Sequence, residues 1–264
     1  MRARTAVHNV PTETYPTMRG RVALITGGSS GIGLATARAF ARQGARVVIA
    51  SRTPSRAKEA LRVLAPDGDV RWQRVDVADG RAIARLVDAA VRWHGRLDYA
   101  FNNGGSGGGR APVADMAEAA WRATIDGYLT SVFLSMRAEI AAMPGSGVIV
   151  NNASVDGLRG YPFPGGAAYS AAKHGVVGLT RSAALEHAAS GPRICAVCPG
   201  WIDTPPVSGL MKRDRRAAAS IVRQTPRGRI GEPEEVASAV LWLCSDAASF
   251  AVGTIVAIDG GYMA

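Results

Sequence analysis

A tyrosine and a lysine stand four residues apart in the segment Tyr169-Ser-Ala-Ala-Lys173. Residues with this spacing share one face of a helix, so the ammonium group of Lys173 is expected beside the phenol of Tyr169. A tyrosine has a pKa of about 10 and is a poor base at neutral pH. We expect the neighbouring cation to lower this pKa, so that Tyr169 can exchange protons at working pH. The pair is a candidate acid/base centre.

A glycine-rich turn near the start of the chain indicates what this proton transfer accompanies. The run Thr26-Gly-Gly-Ser-Ser-Gly-Ile-Gly33 follows an apolar segment of the buried-strand type and precedes a segment with helical spacing of apolar residues. Such a turn lets a pyrophosphate approach the helix N-terminus, where free N–H groups favour an anion. The residues expected at this phosphate site are Gly27, Ser29, Ser30, Gly31, Ile32 and Gly33.

Segments of strand type alternate with segments of helix type along the rest of the chain. Strands are predicted at 21–26, 46–50, 70–75, 97–101, 147–152, 193–198 and 254–258. This alternation predicts an α/β fold with one parallel, doubly wound, seven-stranded sheet and helices on both faces. No linker divides the chain, so residues 19–264 are predicted to form one domain that holds both cofactor and substrate, and residues 1–18 a flexible extension. The substrate site is expected in the loops at the C-terminal edge of the sheet.

Composition narrows the possible partners. The net charge of +10 would permit nucleic-acid binding, but the basic residues are scattered, so we expect none. One basic cluster is either a solvated helix face or a contact for an acidic substrate or carrier; its members are Lys212, Arg213, Arg215 and Arg216.

Cysteines and hydropathy exclude further classes. Cys195 and Cys198 resemble half of a metal site but lie in a predicted buried strand without partner ligands, so we expect neither a metal nor, counting Cys244, a disulfide framework. No stretch reaches the roughly 18 apolar residues of a membrane helix. No export signal is visible, so we expect a cytoplasmic protein without membrane contact.

Several motifs in order resemble the short-chain dehydrogenase/reductase family, and the resemblance covers Gly20 to Tyr262. Besides the glycine turn and the Tyr169/Lys173 pair, the motifs are Asp76-Val77, Asn102-Asn103-Gly104-Gly105, Ser154, Pro199-Gly200 with Thr204, and Asp259-Gly-Gly261. The resemblance implies a Rossmann fold with strand order 3-2-1-4-5-6-7, an oxidoreductase that interconverts a ketone and a secondary alcohol with NAD(P), and a homotetramer.

The resemblance also implies residue roles. Ser154 would donate to the substrate carbonyl oxygen, Tyr169 would pass a proton to it, and Lys173 would hold the ribose hydroxyls of the cofactor. Asp76 and Val77 would border the adenine. Further residues would contact the ribose and nicotinamide: Asn102, Asn103, Gly104, Pro199, Gly200, Ile202 and Thr204.

The end of the second predicted strand bears on the choice of cofactor. NAD-binding proteins of this type carry an acidic residue there for the ribose 2′-hydroxyl. This chain has Ser51 followed by Arg52, whose planar guanidinium suits the oxygens of a 2′-phosphate. We therefore expect NADP(H) in preference to NAD(H).

One position departs from the family pattern. Tyr128 stands where the family commonly has an asparagine that keeps a helix kink and offers its main-chain carbonyl to a proton relay. Tyr128 is therefore expected to line the substrate site, together with Tyr161, Phe163 and Trp201, which suggest a bulky or cyclic apolar substrate. Two alternatives stay open: a regulatory or scaffold protein with little turnover, and a non-redox lyase or isomerase on the same fold.

Overall fold

One parallel sheet forms the centre of the molecule. A computed structural model describes residues 18–264, and its strands follow the order β3-β2-β1-β4-β5-β6-β7 with every neighbouring pair parallel. The strands are β1 (Val22–Thr26), β2 (Arg46–Ser51), β3 (Val70–Arg74), β4 (Tyr99–Asn102), β5 (Val148–Asn152), β6 (Arg193–Pro199) and β7 (Ile255–Ile258). The predicted fold class, alternation and strand order are confirmed.

Strand β1 shows why the sheet is covered on both faces. Successive side chains of a strand point to opposite faces. Val22 and Leu24 join the hydrophobic core on one face, and Ala23 and Ile25 join the core on the other. Since all of β1 is buried, its sequence is a continuous apolar run instead of an alternating one.

Helices form a layer on each face of the sheet. Their bounds are α1 (Gly31–Arg42), α2 (Pro54–Leu64), α3 (Gly80–His94), α4 (Glu118–Ile125), α5 (Ser131–Ala142), α6 (Ala167–His187), α7 (Pro205–Arg213), α8 (Arg215–Gln224) and α9 (Pro233–Cys244). Helices α3, α5 and α6 supply the core on the Val22 face, and α1, α2 and α9 supply it on the Ala23 face. In the part of the chain that the structure describes, no helix is long and apolar enough to cross a membrane.

The predicted N-terminal extension falls mostly outside the described residues, which begin at Met18. Met18, which the prediction included in the extension, is buried in the core of the Ala23 face. Its amide donates to the carbonyl of Gln43 at 2.9 Å. The packed part of the described chain therefore begins at this methionine.

Candidate active site

Three residues singled out in the sequence come together beyond the ends of β5 and β6. Tyr169 lies in the first turn of α6, and Lys173 follows one turn later on the same face. The Lys173 Nζ atom lies 5.6 Å from the centroid of the Tyr169 ring and donates to the carbonyl of Asn152 at 2.6 Å. Ser154 and Tyr169 line one cavity.

The expected electrostatic effect of Lys173 on Tyr169 is wrong for the protein alone. Burial raises the pKa of Tyr169, the nearby Tyr128 phenol raises it further, and the Ser154 hydroxyl opposes part of the rise. Burial also lowers the pKa of Lys173 to about 8. Both groups lose hydration, which disfavours the charged form of each, and the lysine is directed to a backbone carbonyl. The surroundings therefore hold Tyr169 as a neutral phenol.

Asp156 is a buried carboxyl beside Ser154 that the sequence analysis missed. The Ser154 hydroxyl donates to Oδ2 of Asp156 at 3.2 Å and accepts from the Asp156 amide at 3.1 Å, which caps a short helical turn over Val155–Gly157. Burial raises the pKa of Asp156, and the hydrogen bond from Ser154 opposes that rise. The Ser-x-Asp spacing at a strand end is the sequence signal of such a turn.

Tyr128 lies where α4 passes into α5 through a π-helical turn over Asp126–Thr130. Its ring meets the ring of Tyr169 edge-on, with centroids 5.0 Å apart. The Lys173 ammonium lies 5.2 Å from its centroid. A Cβ atom at Gly105 would approach the Tyr128 ring to 2.6 Å. The Tyr128 ring therefore fills space that is open because residue 105 in the loop after β4 is a glycine. The π-helical turn forms although Tyr128 replaces the asparagine of the family pattern.

A cavity of about 410 Å³ opens in front of Ser154 and Tyr169. Of the predicted substrate residues, Tyr128, Tyr161 and Trp201 line it. Phe163 does not; it packs behind, with its ring centroid 5.9 Å from that of Tyr161. Arg110 and Thr124 also line the cavity and were not identified from the sequence.

A narrower cleft lies beside the glycine turn, and part of the predicted phosphate and ribose contacts line it. A Cβ atom at Gly33 would lie 2.4 Å from the carbonyl oxygen of Gly27, so the turn excludes side chains there. The cleft is lined by Gly27, Ser29, Ser30, Ser51, Arg52, Arg56, Val77 and Gly104, among others. Gly31, at φ +52, opens α1. This cradle of bare backbone, hydroxyls and two guanidinium groups fits the phosphates of a dinucleotide.

Ser51 and Arg52 both line this cleft. The Ser51 hydroxyl accepts from Nε1 of Trp72 at 3.1 Å, which leaves its own hydrogen for another acceptor. Arg52 is exposed and makes no ion pair with any described carboxylate. Arg56, in the first turn of α2, was missed because nothing in the local pattern distinguishes it from other surface arginines.

The side chains of the two adjacent asparagines at the end of β4 have different surroundings. Asn103 binds the glycine turn: its Nδ2 atom donates to the carbonyl of Thr26 at 3.1 Å, and its amide donates to the Thr26 hydroxyl at 3.0 Å. The expectation that Asn102 lines the cofactor side is wrong. Its side chain is buried and donates to Glu139 at 2.9 Å and to Asn151 at 3.0 Å. Asp76 is exposed and accepts from the amide of Ala78, as a turn-capping residue does.

The loop after β6 closes over the glycine turn. Pro199 ends β6, and Gly200 lines the cavity. Thr204 contacts the turn, since a Cβ atom at Gly31 would lie 3.1 Å from its methyl group. Ile202 is buried and pairs with Gly231.

Other candidates from the sequence lie apart from both openings. The basic residues of α7 and α8 are exposed and line neither the cavity nor the cleft; they are Lys212, Arg213, Arg215 and Arg216. Cys195 and Cys198 are free and buried in β6. Within residues 18–264, no three His, Cys, Asp or Glu side chains are grouped to hold a metal ion.

Comparison with known proteins defines the class. Residues 27–263 match a family model described as enoyl-(acyl carrier protein) reductase. The chain is 46% identical over 247 residues to cis-4-hydroxycyclohexanecarboxylate dehydrogenase of Sinomonas cyclohexanicum, an alignment that covers 92% of this chain and 97% of that one. It is 41% identical over 245 residues to cyclohexanol dehydrogenase of an Acinetobacter strain, covering 92% and 94% of the two chains.

A solved structure agrees with this assignment. The actinorhodin polyketide ketoreductase with NADPH superimposes with a TM-score of 0.86 at 33% identity, over 92% of this chain and 97% of that one. The chain belongs to the short-chain dehydrogenase/reductase family. It is an oxidoreductase of the class that interconverts CH–OH and C=O groups.

Proposed function

We propose that this protein interconverts a cyclic secondary alcohol and its ketone with NADP(H). The observation that carries the proposal is that Ser154 and Tyr169 line an aromatic-walled cavity beside the glycine-turn cleft. A proton donor, a hydrogen-bond donor and a nucleotide cradle are the parts that carbonyl reduction needs.

The residues divide the work as follows. Tyr169 gives a proton to the substrate oxygen in reduction, and its raised pKa keeps that proton in place until the oxygen becomes basic. Ser154 donates to the same oxygen, which requires its hydroxyl to turn away from Asp156. Lys173 holds the ribose hydroxyls. A nicotinamide cofactor held beside these residues would supply the hydride in reduction and accept it in oxidation.

The proposed preference for NADP(H) rests on Ser51, Arg52 and Arg56. All three line the cleft beside the glycine turn, and no acidic side chain of residues 18–264 lines it. A 2′-phosphate would meet two cations there, whereas a bare ribose would lack the usual carboxylate partner. A structural relative binds NADPH on the same fold at 33% identity, which supports the proposal.

The proposed ring substrate rests on the cavity walls. Tyr128, Tyr161 and Trp201 present flat apolar surfaces around the reacting groups. Such walls favour a bulky apolar ring over a flexible polar chain. Two relatives are named for the oxidation of six-membered ring alcohols.

Assembly as a homotetramer is part of the proposal. Large apolar side chains are exposed on α4, α5 and α6, namely Trp121, Phe133 and Leu185, and Phe250 is exposed near the C-terminus. Association of the chains would bury such side chains. Sedimentation at micromolar concentration should give four chains per particle, and a monomer would contradict the assembly. The cytoplasmic location stays a prediction, which cell fractionation would check.

The proposed function is tested by turnover of ring substrates. Cyclohexanone with NADPH, and cyclohexanol with NADP⁺, should change the absorbance of the reduced nicotinamide, and NADH should serve less well. Tyr169→Phe is the matched inactive control. If a panel of cyclic and open-chain alcohols and ketones gives no turnover while NADPH binds, the regulatory alternative replaces the enzyme.

A further inference from the structure

The cavity holds two charged side chains at separate places. Of the residues that line it, Asp156 and Arg110 carry charge. Asp156 is buried beside Ser154, and its carboxylate accepts a hydrogen bond from the Ser154 hydroxyl. Arg110 lies on the loop after β4, beside Tyr161. The two do not form an ion pair with each other.

Arg110 is oriented by Tyr161. Its Nη1 atom donates to the Tyr161 hydroxyl at 2.6 Å, and its guanidinium carbon lies 4.7 Å from the centroid of the same ring. No carboxylate of the described residues pairs with it. A guanidinium group has five N–H donors in a planar fork, and the contact with Tyr161 uses one of them. The remaining donors suit a planar anion held by two parallel hydrogen bonds.

The positive charge of Arg110 acts on ionisable groups inside the cavity. Burial raises the pKa of Tyr128, and Arg110 opposes that rise. Arg110 also opposes the rise that burial causes in the pKa of Asp156. Arg110 does not line the cleft beside the glycine turn, so the cofactor phosphates are not its partners.

We propose that Arg110 binds an acid group of the substrate, so that the enzyme acts on ring alcohols and ketones that carry a carboxylate. This inference rests on the proposed function. A carboxylate is favoured beside Arg110 and disfavoured beside Asp156. The two charges therefore orient the ring, with its acid group at the Tyr161 end and its hydroxyl or ketone at the Ser154 and Tyr169 end. The apolar ring lies between them against Tyr128 and Trp201.

The first test compares three alcohols that share one ring: cis-4-hydroxycyclohexanecarboxylate, its methyl ester, and cyclohexanol. In the parent protein with NADP⁺, kcat/KM should be at least about tenfold higher for the acid than for the ester, since one charge-assisted contact distinguishes them. Arg110→Gln should lower kcat/KM for the acid by about 10- to 150-fold. It should change the values for the ester and for cyclohexanol by less than about threefold, and Arg110→Lys should keep part of the preference.

Arg71→Gln is the matched control. Arg71 is an exposed arginine stacked on a ring, with its guanidinium carbon 5.6 Å from the Trp93 centroid, and it lines neither opening. Arg71→Gln changes the net charge by the same amount as Arg110→Gln. It should leave kcat/KM unchanged for all three substrates.

The second test needs no turnover. Cyclohexanecarboxylate has no hydroxyl to oxidise, and calorimetry should show that it binds the parent protein loaded with NADP⁺. Cyclohexanecarboxamide should bind the parent protein more weakly than cyclohexanecarboxylate. The Arg110→Gln variant should bind the carboxylate and the carboxamide with equal affinity.

The outcomes separate this inference from the proposed function. Turnover of cyclohexanol without preference for the acid over its ester would overturn the role of Arg110 and leave the proposed function standing. Equal losses for acid and ester in Arg110→Gln would also overturn it. Absence of turnover with every ring alcohol would overturn the proposed function, and the binding of cyclohexanecarboxylate would still decide whether Arg110 holds an acid group.

Discussion

The ring of Tyr128 stands edge-on to the ring of Tyr169, at an interplanar angle of 87° and a centroid distance of 5.0 Å. This edge-to-face geometry is one of the two that aromatic pairs prefer. Lys173 approaches both rings, at 5.2 Å and 5.6 Å from their centroids. The side chain that departs from the family pattern is thus packed directly on the proposed proton donor.

Tyr128→Asn, which restores the family residue, should leave turnover within about tenfold of the parent, or about 1.4 kcal/mol of activation free energy. The reason is that the π-helical turn and its main-chain carbonyls do not depend on the side chain. Steady-state kinetics on cyclohexanol checks this, with Tyr128→Phe as the variant that keeps the ring. A gain of several orders of magnitude would show that the natural protein is impaired by its tyrosine and would favour the regulatory alternative.

Tyr169→Phe should lower turnover by more than about 1,000-fold, because it deletes the proton donor. NADPH binding should stay nearly unchanged, because the volume of the ring is kept. Lys173→Ala should weaken both, since it removes the ribose contact as well. Single-turnover kinetics and fluorescence titration with NADPH measure the two effects separately. Turnover that survives in Tyr169→Phe would assign the proton transfer to another group of the cavity, such as Asp156.

Arg52→Ala should weaken NADPH binding by about 10- to 150-fold, the range for one charge-assisted contact, and NADH binding by much less. Titration of both cofactors against parent and variant measures this. Arg62→Ala is the control, because Arg62 lies on α2, the helix that follows Arg52, but pairs with Glu59 on the surface. Equal dissociation constants for NADPH and NADH in the parent protein would contradict the proposed preference.

Glu139→Gln should stabilise the fold at pH 8. Burial raises the pKa of Glu139 from 4.5 to about 7, and Asn102 opposes part of the rise. Since the folded pKa is the higher one, the contribution of Glu139 is fully present below pH 4.5 and is lost as pH rises through about 7. The loss is at most about 3 kcal/mol, at about 1.36 kcal/mol per pKa unit.

Denaturant unfolding at pH 5 and pH 8 checks this prediction. The parent should be less stable at pH 8 than Glu139→Gln, and the difference should shrink at pH 5. A glutamine amide can also donate to Oδ1 of Asn102, which is buried without a partner among the described residues. Glu186→Gln, at an exposed position of α6, is the control. A variant less stable than the parent at both pH values would contradict the burial cost assigned to the ionised form of Glu139.

Local patterns predicted the strands, because most of them, like β1, are short apolar runs that the two helix layers bury. They also placed the glycine turn and the Tyr169/Lys173 pair, whose spacing is a property of one helix. The orientation of Asn102 was missed because adjacent strand residues point to opposite faces, and the sequence does not say which face holds the cofactor. The raised pKa of Tyr169 was missed because it depends on burial by distant segments. Arg110 and Asp156 lie on loops whose paths periodicity does not define.

The pairing of β1 with β4 determines when, during synthesis of the chain, the nucleotide site can first form. Ala23 pairs with Tyr99, across the length of two intervening β-α units. Asn103, directly after β4, ties down the backbone of the glycine turn. Non-local parallel pairing of this kind is slow to form. On the ribosome, the nucleotide cradle therefore remains unfinished until about the first hundred residues have emerged, and bound cofactor can stabilise the chain only after that point.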